Sequence, residues 1–174
     1  GGNGVFVSYK QYATAGAPWA NDIMAGTKKI KTIGCTMTSI AMYMATRGLK
    51  DSNNALWTPG TLNTYLKANS GYTSGGAILW GSVPTITMAS GDSHLQCPNS
   101  VCAAVTLTKL KSWLASCDGV LLNTPSPISA ASGGGYGATH KRHWVLATGI
   151  KTEGATLADT VVYVNDPGSS VNTE

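Results

Sequence analysis

Three residues have the types and the order that thiol chemistry needs. Cys35 follows Thr32-Ile33-Gly34 and stands directly before a strongly helical stretch. A thiol there feels the positive end of a helix dipole, which favours the thiolate, its nucleophilic form. Glycine at 34 lets backbone and substrate approach closely. His143 opens a strand-like segment, and Asp166 follows the next one in Val164-Asn165-Asp166-Pro167. If those two strands pair as an antiparallel hairpin, imidazole and carboxylate meet at one end. Cysteine catalysis requires that set: the imidazole takes the thiol proton, and an acidic or amide group orients the imidazole. Each residue also has an ordinary use, Cys35 as a small core residue, His143 as a structural histidine and Asp166-Pro167-Gly168 as a turn. It is the combination, in the order Cys, His, Asp, that points to catalysis. Asn165 is an alternative orienting group, since strand alternation sends its side chain to the opposite face from that of Asp166. His140 is an alternative base.

The elements that must position these groups can be read along the chain. Val5 to Tyr12 alternates loosely, as a short strand or an extended arm. Ala13 to Lys31 reads as a loop or broken helix around Pro18 and Trp19. From Thr36, Met37, Ile40, Ala41, Met44 and Ala45 recur at helical spacing until Gly48, a C-terminal stop. Thr58-Pro59 has the form of an N-cap with proline at the first helical position, continued by Leu62, Tyr65 and Leu66. The segment 70–91 is rich in Gly, Ser and Thr and reads as irregular. Thr106 or Thr108 opens a third helix through Leu110, Trp113 and Leu114. Segments 119–123, 144–148 and 161–164 read as strands. Helices precede strands, so the expected class is α+β rather than alternating βαβ. At 174 residues, with no repeat and no linker, the expectation is a single domain spanning residues 1–174.

Composition removes several function classes. Apolar residues make up 43% and charged residues 11%, well below the usual quarter, as in a loop-rich globule with a neutral surface. The eight acids include no evident pair for a glycosidase. No His-Glu-x-x-His run and no phosphate-binding Gly-x-x-x-x-Gly-Lys-Ser/Thr loop occurs. Gly133-Gly134-Gly135-Tyr136-Gly137 precedes a strand-like segment, whereas a dinucleotide-binding turn would open a helix. The net charge of +4 is scattered, and the pI of about 8.9 lies below the level typical of nucleic-acid binders, so no nucleic-acid partner is expected. No apolar run approaches the roughly 18–20 residues of a membrane span. Gly1-Gly2-Asn3-Gly4 lacks the pattern of a signal peptide.

The chain resembles the C39-like peptidases, a group of papain-like cysteine peptidases. Gln11 in Tyr9-Lys10-Gln11-Tyr12, then Trp19, then Gly34-Cys35-Thr36-Met37-Thr38-Ser39-Ile40-Ala41-Met42 resemble their amino-terminal half. His143-Trp144-Val145-Leu146-Ala147-Thr148-Gly149 and Tyr163-Val164-Asn165-Asp166-Pro167 resemble their carboxy-terminal half. The two blocks cover about half the chain and leave 51–141 largely unmatched. The resemblance implies a papain-like fold in which N-terminal helices carrying the Cys pack on a C-terminal antiparallel sheet carrying His and Asp. It implies Cys35 as nucleophile, His143 as base, Asp166 as orienting residue and Gln11 as an oxyanion-hole donor beside the Cys35 N–H. It also implies a peptide or protein substrate, with cleavage after small residues such as a Gly-Gly pair by analogy with some relatives. No cofactor and a monomeric state are expected. The same resemblance admits a secreted or injected antibacterial toxin, which would need an immunity or inhibitor protein. Amide hydrolysis or acyl transfer on cell-wall peptides is the enzymatic alternative. A binding module that kept the fold without the chemistry is the non-enzymatic one. The five tryptophans could line a cleft, although core packing is their commoner use.

Cys97, Cys102 and Cys117 lie outside both blocks. They could form a disulfide, which would imply an oxidising compartment, stay reduced, or join His94 in a structural zinc site.

Overall fold

The computed structural model describes residues 6–12, 17–84, 105–116, 119–124 and 143–168. The chain enters as an extended arm over residues 6–10. A short antiparallel hairpin follows, β1 (Ile23–Ala25) with β2 (Lys28–Lys29). Gly26 makes the turn with φ of +57°, a conformation side-chain-bearing residues rarely adopt. This hairpin lies where the sequence suggested a loop or broken helix. Strands of three and two residues carry no readable period.

Helix α1 (Ile30–Ile33) runs into α2 (Cys35–Thr46), with Gly34 between them. From Met37 to Ala45 every residue of α2 is buried, so this is a central helix rather than an amphipathic surface one. Met24, Met37, Met42 and Met44 pack there with Ile40, Leu62, Leu66 and Leu146, flexible thioethers filling an irregular core. Helix α3 (Pro59–Ala68) begins as the sequence indicated. The Thr58 side chain accepts from the Thr61 N–H while Thr61 returns a bond to the Thr58 backbone, and Pro59 follows the cap. Trp80–Ser82 forms a single 3-10 turn. Helix α4 (Leu107–Ser116) is capped by Thr106, whose Oγ1 accepts from the Lys109 N–H at 3.2 Å, which decides between the two candidate threonines.

The three C-terminal strands form one antiparallel sheet, ordered β3 (Val120–Thr124), β4 (His143–Thr152), β5 (Val161–Asn165). Along β4, side chains alternate between two cores. Leu146 joins the cluster around α2, whereas Val145 and Ala147 join Leu110 of α4, with Val120 and Val164. The architecture is therefore α+β: the N-terminal helices pack on a C-terminal three-stranded sheet. Among the described residues no helix is long and apolar enough to cross a membrane.

The arm ties the two halves together. The Val7 N–H donates to Thr46 Oγ1 of α2, and the Val7 carbonyl accepts from Asn165 Nδ2 of β5. Further on, Lys10 Nζ donates to the Asp166 carbonyl, and the Gln11 N–H donates to that of Pro167. Of the two forms the sequence allowed for this segment, it takes the extended arm. The opening glycines, Gly133–Gly137, His94, His140, Cys97, Cys102 and Cys117 lie outside the described residues.

Candidate active site

The β4–β5 hairpin brings His143, the first residue of β4, beside Asp166, the residue just past β5. His143 Nε2 donates to Asp166 Oδ1 at 2.6 Å, and both side chains are only 3% exposed. The same Oδ1 accepts from the Gly168 N–H at 2.7 Å. Asp-Pro-Gly is therefore both a turn and an anchor: the carboxylate closes an Asx-type turn and holds the imidazole. Asn165 points elsewhere, to the Val7 carbonyl, as alternation required.

With Nε2 committed to Asp166, the other ring nitrogen, Nδ1, is the one left to face Cys35, and imidazole and thiol lie close enough to shift each other's titration. Cys35 is half-buried and is a free thiol. Burial pushes that thiol up, but hydrogen bonds from His143 and from the Trp144 backbone, the His143 charge and the Thr36 hydroxyl bring it below its ordinary value. His143 shows the complementary pattern. Burial lowers it, while hydrogen bonds to Asp166 and Cys35 and their negative charges push it up to about 9. The two displacements run in opposite directions, the sense that favours charge separation between thiol and imidazole.

Cys35 stands at the helix start the sequence indicated, as the first residue of α2. The four-residue α1 precedes it, with Gly34 N–H bonded to the Ile30 carbonyl and Thr38 N–H to that of Gly34. His143, the Trp144 backbone and Thr36 are further groups that lower the thiol. Gly34 is required by space rather than by φ, which is −83°. A Cβ there would lie 2.5 Å from the Ile30 carbonyl oxygen and 2.7 Å from Ile30 Cγ2.

Gln11 is also at this end of the molecule and is buried at 1% exposure. Its Nε2 donates to the carbonyls of Ile30 and Lys31 at 3.5 and 3.3 Å, just upstream of Cys35. Its Oε1 is buried without a hydrogen-bond partner among the described residues. The structure therefore pairs His143 with Asp166 and sets Cys35 near the imidazole, whereas the Gln11 amide is turned to the Ile30 and Lys31 carbonyls. Sequence reasoning missed Lys10 on the Asp166 carbonyl and the Trp144 backbone, which no side-chain pattern could reveal. Trp144 is also pinned to α2, its carbonyl accepting from Ser39 Oγ at 3.1 Å, and its ring meets Trp80 at 5.4 Å between centroids. Among the described residues no group of His, Cys, Asp or Glu is clustered to hold a metal ion. Compared with protein-family models, curated proteins and solved structures, the chain matches none, so the site is read from its own geometry.

Proposed function

We propose that the chain is a papain-like cysteine hydrolase cleaving peptide bonds through an acyl-enzyme. One observation carries this reading: the buried His143–Asp166 pair, hydrogen-bonded at 2.6 Å, whose imidazole acts electrostatically on the partly exposed Cys35. The thiolate sulfur attacks the substrate carbonyl carbon, and the carbonyl electron pair moves to oxygen. The oxyanion is held by the Cys35 N–H and by the Gln11 amide, whose present bonds to two carbonyls are long and weak enough to exchange for a charged acceptor. Collapse breaks the C–N bond as His143 gives its Nδ1 proton to the leaving amine. Neutral His143 then takes a proton from water, hydroxide adds to the thioester, and the acid leaves with restoration of thiolate and imidazolium. Asp166 stays ionised throughout and fixes the ring. On the same reading the substrate is a peptide or protein, and a cell exporting such an enzyme as a toxin would need an inhibitor or immunity protein.

Iodoacetamide alkylation of the native protein across pH, read at each cysteine by mass spectrometry, tests this. Cys35 should react fast below about pH 7. His143→Ala should slow it roughly a hundredfold there, since the thiol loses its hydrogen bond and its counter-charge. An inert Cys35, or one indifferent to His143, sinks the proposal and leaves the fold as a binding scaffold.

A further inference from the structure

A second concavity lies on the α3 side of the molecule and shares no residue with the Cys35 site. It has a volume of about 720 Å³ and is walled by Trp19, Trp57 and Tyr65, a size in the usual range for ligand pockets, roughly 300–1,000 Å³. Its walls are fixed before any ligand arrives. Trp57 and Tyr65 meet edge to face at 5.6 Å. Trp19 donates Nε1 to the Lys10 carbonyl at 2.7 Å and packs edge to face on Tyr9 at 5.5 Å.

Its charge runs against that of the molecule. In a chain of net charge +4, the charged residues lining this groove are Asp22 and Asp51, with no Lys, Arg or His among its described lining. Asp51 uses Oδ1 to accept from the Asn53 and Ala55 N–H groups at 2.8 and 3.1 Å. Asp22 is exposed, and its carboxylate has no hydrogen bond or ion pair among the described residues.

Several polar side chains of the lining are already bonded within the protein. Thr58 and Thr61 are spent on the α3 cap. Thr64 Oγ1 donates to the Gly60 carbonyl, and Asn69 Nδ2 donates to that of Tyr65. What stays uncommitted is negative charge, the Ser52 and Asn53 side chains, and aromatic surface, chiefly of Trp19 and Tyr65 because Trp57 is only 8% exposed. Rings attract cations through their quadrupole, and a planar guanidinium stacks on an indole while its N–H groups bond carboxylates. We infer that this groove binds the guanidinium side chain of an arginine in a basic peptide, with Asp22 and Asp51 as its counter-ions and Trp19, Trp57 and Tyr65 as its walls.

The test titrates the 174-residue protein with an acetylated, amidated tetra-arginine peptide and with its citrulline counterpart, which keeps the shape and lacks the charge. The net positive charge of the protein works against non-specific attraction. Saturable calorimetric binding is expected, at least about tenfold weaker for citrulline and for a D22N/D51N double variant with an unchanged melting temperature. The D51N substitution keeps an amide oxygen where the turn uses the carboxylate Oδ1 as its acceptor. Should the double variant melt early, Asp22→Asn alone carries the test, since that exposed carboxylate makes no bond among the described residues, and a drop of roughly threefold is expected. Equal affinity for both peptides, affinity unchanged by the substitutions, or no saturation below millimolar concentration overturns the inference. Binding of a neutral oligosaccharide such as chitotetraose that is unaffected by D22N also overturns it. The alkylation of Cys35 is independent of every one of these outcomes.

Discussion

Asp166 Oδ1 accepts from two donors at once, His143 Nε2–H and the Gly168 N–H, and that separates its geometric role from its charge. An asparagine side chain in that place preserves an acceptor for both donors and removes the negative charge that supports the imidazolium. The sign follows from the displacement. The folded pKa of His143, about 9, is above its ordinary 6.5, so the imidazolium stabilises the fold fully below pH 6.5 and is lost as pH rises through about 9. For Cys35 the value is lowered, so the thiolate's contribution is present above its ordinary value and is lost as pH falls through the lowered one. If the proposed function holds, the reactive ion pair is populated between these limits, and kcat/KM for a peptide substrate should be bell-shaped with its basic limb near pH 9. Asp166→Asn should move that limb down toward 6.5 and cost roughly tenfold at pH 7, whereas Asp166→Ala, which also frees the ring, should cost roughly 10²–10⁴-fold. A limb that stays near pH 9 in the Asn variant would show that Asp166 does not charge the imidazole. That Asn165 and Asp166 face opposite ways was legible in the sequence, because strand alternation is a local rule, but which of them meets His143 rested on the family resemblance. The commitment of the Gln11 amide to the Ile30 and Lys31 carbonyls was not, because it depends on how a distant arm lies against α1.

At the scale of elements, legibility followed the range of the forces. The Thr58 cap could be read because capping is settled within four residues, and the Thr106 cap was legible to within two. The β4–β5 hairpin was legible through its β-branched content. The β1–β2 hairpin was not, nor was α1, since neither is long enough to display a period and both exist because the core accepts Met24 and Ile30. The junction between α1 and α2 is where an element acts directly on the site. A methyl group at position 34 meets the Ile30 backbone, which cannot swing aside as a side chain would. Gly34→Ala should therefore destabilise the protein by about 1–3 kcal/mol, as overpacked positions do, and slow Cys35 alkylation at neutral pH by shifting the thiol away from His143. Denaturant titration and alkylation of the same variant check both halves. A variant as stable and as reactive as the parent would mean that the junction has room to spare.

For the whole molecule, the decisive connections are the longest ones. Lys10 and Asp166 are 156 positions apart in the chain, and Val7 and Asn165 are 158 apart. Contacts of such separation form late, since the closure of large loops must precede them. On refolding from denaturant, helical signal should return before fast Cys35 alkylation does, and Lys10→Ala should delay the second without delaying the first. Simultaneous recovery of both signals would argue that the arm docks early. The His143–Asp166 pairing could be anticipated from the sequence, but its dependence on the arm could not, since a stretch such as Tyr9-Lys10-Gln11 advertises no partner. The arm also sets a clock. During synthesis, at roughly 5–20 residues per second, Cys35 emerges on the order of ten seconds before Asp166, the residue just past the last strand. If the proposed function holds, the thiol is an ordinary cysteine for that interval and is armed only when the arm and the last strand have met.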